Sequence, residues 1–172
     1  MRTVHMLALG VAAAALAGCA EGVKPTGEPS FYRSMAQPDV TLDASVAASM
    51  ISGYRANNGL SAVTLDPQLM QLADAQARAM AARNRVDHIP AGAFTARLKS
   101  AGYSAKTAAE NVSAGYHTLA EAFSGWRDSP PHRANMLLKG ATKMGIAAVY
   151  APGSKYKVFW SLILAEPDDR RG

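Results

Sequence analysis

The chain has 172 residues, of which 49% are hydrophobic and 18% are charged, a composition typical of one globular domain and not of a disordered chain. Its single cysteine excludes an internal disulfide, a zinc module built from several cysteines and a C-x-x-C redox site. The 18 basic and 13 acidic residues give a net charge of +5, but the basic residues are scattered and form no nucleic-acid patch, so we expect no nucleic-acid partner.

Residues 1–18 have the pattern of a secretory signal. Arg2 precedes an apolar stretch that is too short to span a membrane, which takes ~20 residues. The stretch ends in L-A-G-C at residues 16–19, which resembles a bacterial lipobox. The resemblance implies cleavage before Cys19 and acylation of this residue, for example with palmitate, so that the protein is a lipoprotein anchored to a membrane outside the cytoplasm. A plain signal peptide that ends near a cysteine is the alternative.

The residues after Cys19 predict a flexible tether. Residues 19–39 contain several prolines and glycines without an apolar period. In a Gram-negative cell envelope, Ala20 after the cysteine resembles an outer-membrane sorting signal. Three residues interrupt the tether and are candidates to pack on the domain: Phe31, Tyr32 and Met35. We place the folded domain at residues 40–166 and a polar tail at residues 167–172.

Apolar spacing of three and four residues predicts five helices. The clearest runs from Pro67 to about Asn84, with Asp66 as its N-cap and proline at the first helical position. The others are predicted over residues 39–57, 93–100, 119–126 and 133–138.

Strands are predicted over residues 111–116, 144–150 and 156–165. The last strand has apolar residues on both faces, which indicates that helices cover it on both sides. A short turn at Pro152-Gly153 separates the last two strands and predicts an antiparallel hairpin. We therefore expect an α+β fold, a three-layer α-β-α sandwich with a small, mostly antiparallel sheet, and Trp126 and Trp160 in its core.

Three polar side chains are the candidates for chemistry: His88, Glu110 and His132. Two imidazoles and a carboxylate can hold zinc while leaving a coordination position open, and they can equally serve as acid–base partners. No local ligand pair such as H-E-x-x-H is present, so the alternative of three unrelated polar residues stays open at this point.

Several sequence pieces, in chain order, resemble the CAP superfamily, also called the SCP domain. They are the helix at residues 65–84, His88, the run A-E-N-V-S-A-G at residues 109–115 and the run W-R-D-S-P-P-H-R-A-N-M-L at residues 126–137. Gly145 and Ile146 are similar to the start of a following strand in the family. The resemblance covers about residues 40–165. It implies an α-β-α sandwich whose cleft is lined by two histidines and two glutamates, sometimes with a divalent cation.

By position, His88, Glu110 and His132 match three of these four cleft residues, and Ser129 stands where the second glutamate would be. The implied cofactor is a zinc, magnesium or calcium ion, held more weakly than by the full set or completed by water. Asn111 is a candidate to orient the site or to tie loops together. We expect Ser129 to cap the following helix rather than to attack a substrate. Pro131 replaces the usual glycine and removes one backbone N–H.

Three functions follow from the resemblance, and fold analogy alone does not decide between them. We favour a monomeric, non-enzymatic domain at the cell envelope that binds a lipid, a sterol, a cell-wall glycan or a protein. The first alternative is a metal-dependent hydrolase or peptidase that uses His88, Glu110 and His132, which the loss of the second glutamate weakens. The second alternative is an interaction protein whose cleft is vestigial.

Overall fold

The computed structural model describes residues 27–168, so the predicted signal peptide, Cys19 and the last four residues of the tail lie outside it. Within this range none of the helices has the length and the apolar character needed to cross a membrane. After a 3-10 turn at Ser30–Tyr32, the elements are, in chain order, α1 (Ala44–Ala56), β1 (Thr64–Leu65), α2 (Pro67–Arg83), α3 (Phe94–Ser100), β2 (Ala105–Ala114), α4 (Leu119–Asp128), α5 (Pro130–Met136), β3 (Lys143–Tyr150) and β4 (Val158–Pro167).

Helix α2 begins and ends where its sequence predicts. The carboxylate of Asp66 accepts hydrogen bonds from the backbone N–H groups of Gln68 and Leu69 at 2.9 and 3.0 Å. Pro67 occupies the first helical position, where its missing N–H has no partner to lose. The helix ends at Asn84, whose φ of 48° is a left-handed conformation that asparagine tolerates. The predicted helix and its N-cap are confirmed.

The strands form one sheet in the order β1-β3-β4-β2. Strands β3 and β4 pair antiparallel as the predicted hairpin, and β2 pairs antiparallel with the other edge of β4. Strand β1 pairs parallel with β3. The mostly antiparallel sheet is confirmed, whereas β1 was not predicted because a strand of two residues has no alternation to detect.

Strand β4 lies in the middle of the sheet and is buried on both faces. On one face Trp160, Leu162 and Leu164 pack with residues of α1, α4 and α5. On the other face Ile163 packs with α2. Trp126 of α4 contacts Trp160 edge to face, with 6.4 Å between ring centroids, and both rings are buried. The predicted three-layer α-β-α arrangement and the two core tryptophans are confirmed.

Two elements that carry predicted site residues begin earlier than predicted. Strand β2 begins six residues early, at Ala105 rather than at residue 111, because pairing with β4 holds an alanine-rich segment that has no strand pattern of its own. Helix α5 begins at Pro130 rather than at residue 133, because proline is tolerated in the first helical turn. These shifts place Glu110 inside β2 and His132 in the first turn of α5.

We placed the start of the domain at residue 40, but residues before it already pack on the domain. Met35 is 4% exposed, and its backbone N–H donates to the carbonyl of His117 at 2.6 Å. Phe31 packs against the same core cluster, whereas Tyr32, the third candidate, is 53% exposed. The segment from Ser30 onward therefore belongs to the packed structure, which shortens the predicted tether.

Candidate functional site

The centre of the site is the buried carboxylate of Glu110, which β2 carries into the protein. Its side chain is 1% exposed. The carboxylate accepts hydrogen bonds from Nη2 of Arg97 at 2.7 and 2.9 Å, one to each oxygen. Nδ1 of His88 lies 2.9 Å from Oε2, and the hydroxyl of Ser161 donates to Oε1 at 3.4 Å. A carboxylate this buried is tolerated because a cation and several hydrogen bonds compensate for its lost hydration.

Arg97 was not among the residues expected at the site. It lies on α3 with its side chain 6% exposed. Its Nε donates to the carbonyl of Gly92 at 2.9 Å, and its guanidinium lies 5.3 Å from the ring centroid of Phe94. The sequence contained one usable signal for Arg97. It precedes Leu98 in a short helix, and both residues are buried. A buried cation requires an anion as its partner, so this position predicts an ion pair.

His88 presents one ring nitrogen to the outside. It lies in the loop after α2, and its side chain is 53% exposed. Because an ionised carboxylate can only accept hydrogen bonds, the contact with Glu110 assigns a proton to Nδ1 of His88. In the neutral ring Nε2 is then an acceptor that no described residue uses. The loop is held by the carbonyl of Asp87, which accepts from Nε2 of Gln76 at 2.6 Å.

His132 is held on α5 by a network of amide side chains. Its Nδ1 lies 2.9 Å from the hydroxyl of Ser129, and its backbone carbonyl accepts from Nδ2 of Asn111 at 2.9 Å. Nδ2 of Asn135 donates to Oδ1 of Asn111 at 2.9 Å and to the carbonyl of Glu110 at 3.1 Å. Asn111 therefore ties α5 to β2, one of the two roles expected of it, and this tie fixes His132 relative to Glu110.

The two imidazoles influence each other. Partial burial, with a smaller contribution from the charge of His88, lowers the pKa of His132 below its usual value of 6.5. His132 is therefore neutral at pH 7, and it lies near enough to His88 for their charges to repel when both are protonated.

The lowered pKa of His132 predicts a loss of stability in acid. Since the folded state has the lower pKa, the unfolded chain binds this proton first, and the stability present above pH 6.5 declines as the pH falls from there toward the folded pKa. Urea unfolding at several values between about pH 7.5 and 5 measures the decline. We expect a smaller decline in stability for His132→Gln. For His117→Gln we expect the same decline as for the wild type, because His117 lies in an exposed loop. Equal declines in all three proteins would assign the effect to another group.

The comparison with known protein families shows which family this chain belongs to. The model of the CAP family, described as the cysteine-rich secretory protein family, matches residues 48–164. The chain belongs to the CAP family. The uncharacterized protein YkwD of Bacillus subtilis is 30% identical over 139 residues, which make up 80% of this chain and 54% of that protein. The chain thus spans about half the length of this curated relative.

Solved structures with this CAP fold come from several bacteria. An extracellular protein with an SCP domain from Bacillus anthracis matches with a TM-score of 0.61 and 22% identity, covering 70% of this chain and 39% of that one. An outer surface protein of Borrelia burgdorferi matches with a TM-score of 0.66 and 16% identity. The match covers 73% of this chain and 93% of that one. A cysteine-rich secretory protein of Staphylococcus aureus matches with a TM-score of 0.60 and 18% identity. The match covers 76% of this chain and 40% of that one. At sequence identities this low, the structural likeness shows the fold alone, and it confirms the predicted CAP/SCP architecture.

The metal-ligand set implied by the CAP resemblance does not fit a metal ion here. Within residues 27–168, no three or more His, Cys, Asp or Glu side chains are grouped so that they could hold one. The carboxylate of Glu110 contacts His88 directly, whereas the amides of Asn111 and Asn135 join the backbone carbonyls of Glu110 and His132. Both of its oxygens also accept from Arg97. Together with the contacts from His88 and Ser161, these hydrogen bonds use the lone pairs of the carboxylate, so zinc, magnesium or calcium would have to displace one of these donors.

Ser129 precedes α5 but does not cap it with its side chain, contrary to expectation. The next two residues, Pro130 and Pro131, have no N–H to donate, and the hydroxyl contacts the ring of His132 instead. The same two prolines remove backbone donors that a serine nucleophile would need nearby to stabilise an oxyanion. The contact between Ser129 and His132 is therefore a local orienting contact. Glu121 of α4 belongs to the capping box with Thr118.

A buried arginine supports the helix that carries His132. Arg55 of α1 lies one helical turn after the buried Ile51 and is 0% exposed. Its guanidinium donates at 2.8 to 2.9 Å to backbone carbonyls of Ser61, Met136, Leu138 and Ala141. Two of these carbonyls lie at the C-terminal end of α5, where the helix dipole favours a cation. Arg55 thus fixes the helix that carries His132, and it was not predicted.

Proposed function

We propose that this chain is a membrane-anchored, extracytoplasmic CAP domain that binds an envelope ligand between His88 and His132 without converting it. The observation that carries the proposal is the ion pair of Glu110 and Arg97, at 2.7 and 2.9 Å. A carboxylate held in this way is neither a free base nor an open metal ligand. The groups left for a ligand are two imidazoles, whose ring nitrogens can make hydrogen bonds to it.

The location outside the cytoplasm is supported by the lipobox-like run at residues 16–19. Acylation of Cys19 would anchor the domain to a membrane through its acyl chains. The structural neighbours described as an extracellular protein and an outer surface protein agree with this location. A monomer suffices, since one chain supplies every residue described at the site.

The chemistry beside His88 favours a ligand with hydroxyl or amide groups and an apolar part. Nε2 of His88 accepts a hydrogen bond from such a group. On the same loop Ile89 is 64% exposed and Val86 is 38% exposed, and they offer an apolar contact beside the polar one. A lipid with a hydroxylated headgroup or a cell-wall glycan has this combination.

The proposal predicts that both histidines are required for binding. The full chain carrying Cys19→Ser, which prevents acylation, is titrated with two soluble probes, a short-chain phosphatidylglycerol and an N-acetylglucosamine tetrasaccharide. Binding of at least one probe is expected, weakened about tenfold or more by His88→Ala and by His132→Ala, because each removes a hydrogen bond made in a partly desolvated cleft.

His117→Ala is the matched control, because this histidine lies in an exposed loop before α4, and its affinity should equal that of the wild type. Binding that survives both cleft substitutions would show that the ligand binds elsewhere. Probes recovered in cleaved form, with cleavage abolished by His88→Ala, would replace the proposal by catalysis. Failure of both probes to bind would contradict the proposed ligand classes.

A further inference from the structure

The candidate site contains a cation that belongs to the protein itself. Nη2 of Arg97 contacts both oxygens of Glu110, and the two side chains are 6% and 1% exposed. Arg97 is fixed by two further contacts, from its Nε to the carbonyl of Gly92 and from its guanidinium to the ring of Phe94. The guanidinium is therefore held in place from several sides and does not depend on Glu110 alone for its position.

We infer that Arg97 takes the electrostatic place of a metal ion at this site, so that the site works without a divalent cation and Glu110 orients His88 instead of ligating a metal. Arg97 is in this sense a positioning residue. The inference does not depend on the identity of the envelope ligand. It holds or fails whether or not the lipid and glycan probes bind.

The exclusion of a metal follows from distance and charge. A zinc or calcium ion binds a lone pair of a carboxylate oxygen at about 2.0 to 2.6 Å, and the lone pairs of Glu110 already accept from Arg97, His88 and Ser161. The ion would then share a nearly dry site with a guanidinium, and the two positive charges repel strongly where water does not screen them. A lysine in this position could lose its proton and give way, but arginine keeps its charge in proteins.

The same contact explains how His88 is presented. Arg97 fixes the carboxylate of Glu110 in place, and this carboxylate accepts a hydrogen bond from Nδ1 of His88. Nε2 is then directed to a ligand as an acceptor. Without Glu110 as a ligand, two imidazoles remain, which is fewer than the three or four protein ligands of zinc sites.

The test measures zinc and magnesium binding by calorimetry on the full chain carrying Cys19→Ser, which removes a thiol that would itself bind zinc. We expect no saturable magnesium binding and weak zinc binding in this background. Arg97→Met frees Glu110 and should tighten zinc binding about tenfold or more. Arg97→Lys should tighten zinc binding less than Arg97→Met, because the lysine competes with the ion for Glu110 until it loses its proton. Adding Glu110→Gln to Arg97→Met should abolish the gain, which assigns it to the carboxylate.

A second measurement keeps the test decisive if Arg97→Met does not fold. The chain has five glutamates, so carboxyl carbon-13 labelling of glutamate assigns the Glu110 signal by NMR once Glu21→Gln, Glu28→Gln, Glu121→Gln and Glu166→Gln identify the other four. In the Cys19→Ser background this signal should not move with zinc. A shift of the Glu110 signal at stoichiometric zinc would overturn the inference. So would a folded Arg97→Met variant that binds zinc no more tightly than the background.

Discussion

Replacing Arg55 by alanine is expected to destabilise the domain by at least about 4 kcal/mol, which is a large part of the stability of a typical domain. The substitution removes four hydrogen bonds to backbone carbonyls at 2.8 to 2.9 Å from a residue that is 0% exposed. Buried carbonyls that lose their donor cost about 1 to 3 kcal/mol each unless water replaces it. Urea unfolding measures the loss, and in marginal conditions the variant should fail to fold.

Arg78→Ala is the matched control. Arg78 is on the surface of α2, its side chain is 68% exposed, and it pairs with Asp74 one turn earlier at 2.7 Å. An exposed pair of this kind contributes about 0.3 to 0.5 kcal/mol. The contrast separates the loss of a buried guanidinium from the loss of one positive charge. Equal and small effects of the two substitutions would show that water or neighbouring groups satisfy the carbonyls without Arg55.

The position of His132 also depends on Arg55. Arg55 holds the C-terminal end of α5, and Asn111 holds its first turn by donating to the carbonyl of His132. A helix of seven residues is too short to be stable by itself, so it needs both attachments. The geometry of His132 is therefore set by residues from α1 and β2, far from it in the chain.

The parts of this fold that could be predicted are those whose signal is local. Helix α2 has an apolar period, a capping aspartate, a proline at its first position and asparagine at its end, and all of these lie within 20 consecutive residues. Strand β4 has apolar side chains on both faces, which indicated two covering layers of helices. The motif residues His88, Glu110 and His132 could be selected because charged or titratable groups stand out in apolar segments.

The contacts that organise the site could not be predicted, because their partners carry no side-chain signature. Arg55 donates to backbone carbonyls 81 to 86 residues later in the chain, and any residue has such a carbonyl. Arg97 and Glu110 are 13 residues apart, and their contact depends on the first half of β2, an alanine-rich segment that becomes a strand only by pairing with β4. The sequence therefore indicated which residues are chemically able to act, and the fold determined which of them meet.

Replacing Glu110 by glutamine is expected to destabilise the domain by about 3 to 5 kcal/mol, because it leaves the guanidinium of Arg97 buried without its counter-charge. The partners lie 2.7 Å apart and are 6% and 1% exposed, so water cannot readily replace the carboxylate. Urea unfolding of the wild type and the variant at pH 7 gives the difference. A loss under about 1 kcal/mol would mean that Arg97 finds another partner or is hydrated.

A double-mutant cycle with Arg97→Met separates the value of the ion pair from the penalty of an unpaired charge. Removing both charges leaves a neutral amide beside an apolar side chain, which costs less stability than an unpaired buried charge. The double variant should therefore be more stable than Glu110→Gln alone by about 2 kcal/mol. Glu166→Gln is the control, since Glu166 pairs with Lys106 at 3.0 Å where both side chains are partly exposed, and its effect should stay under about 1 kcal/mol. Additive effects of Glu110→Gln and Arg97→Met would mean that the two residues act independently, which would contradict the site as described.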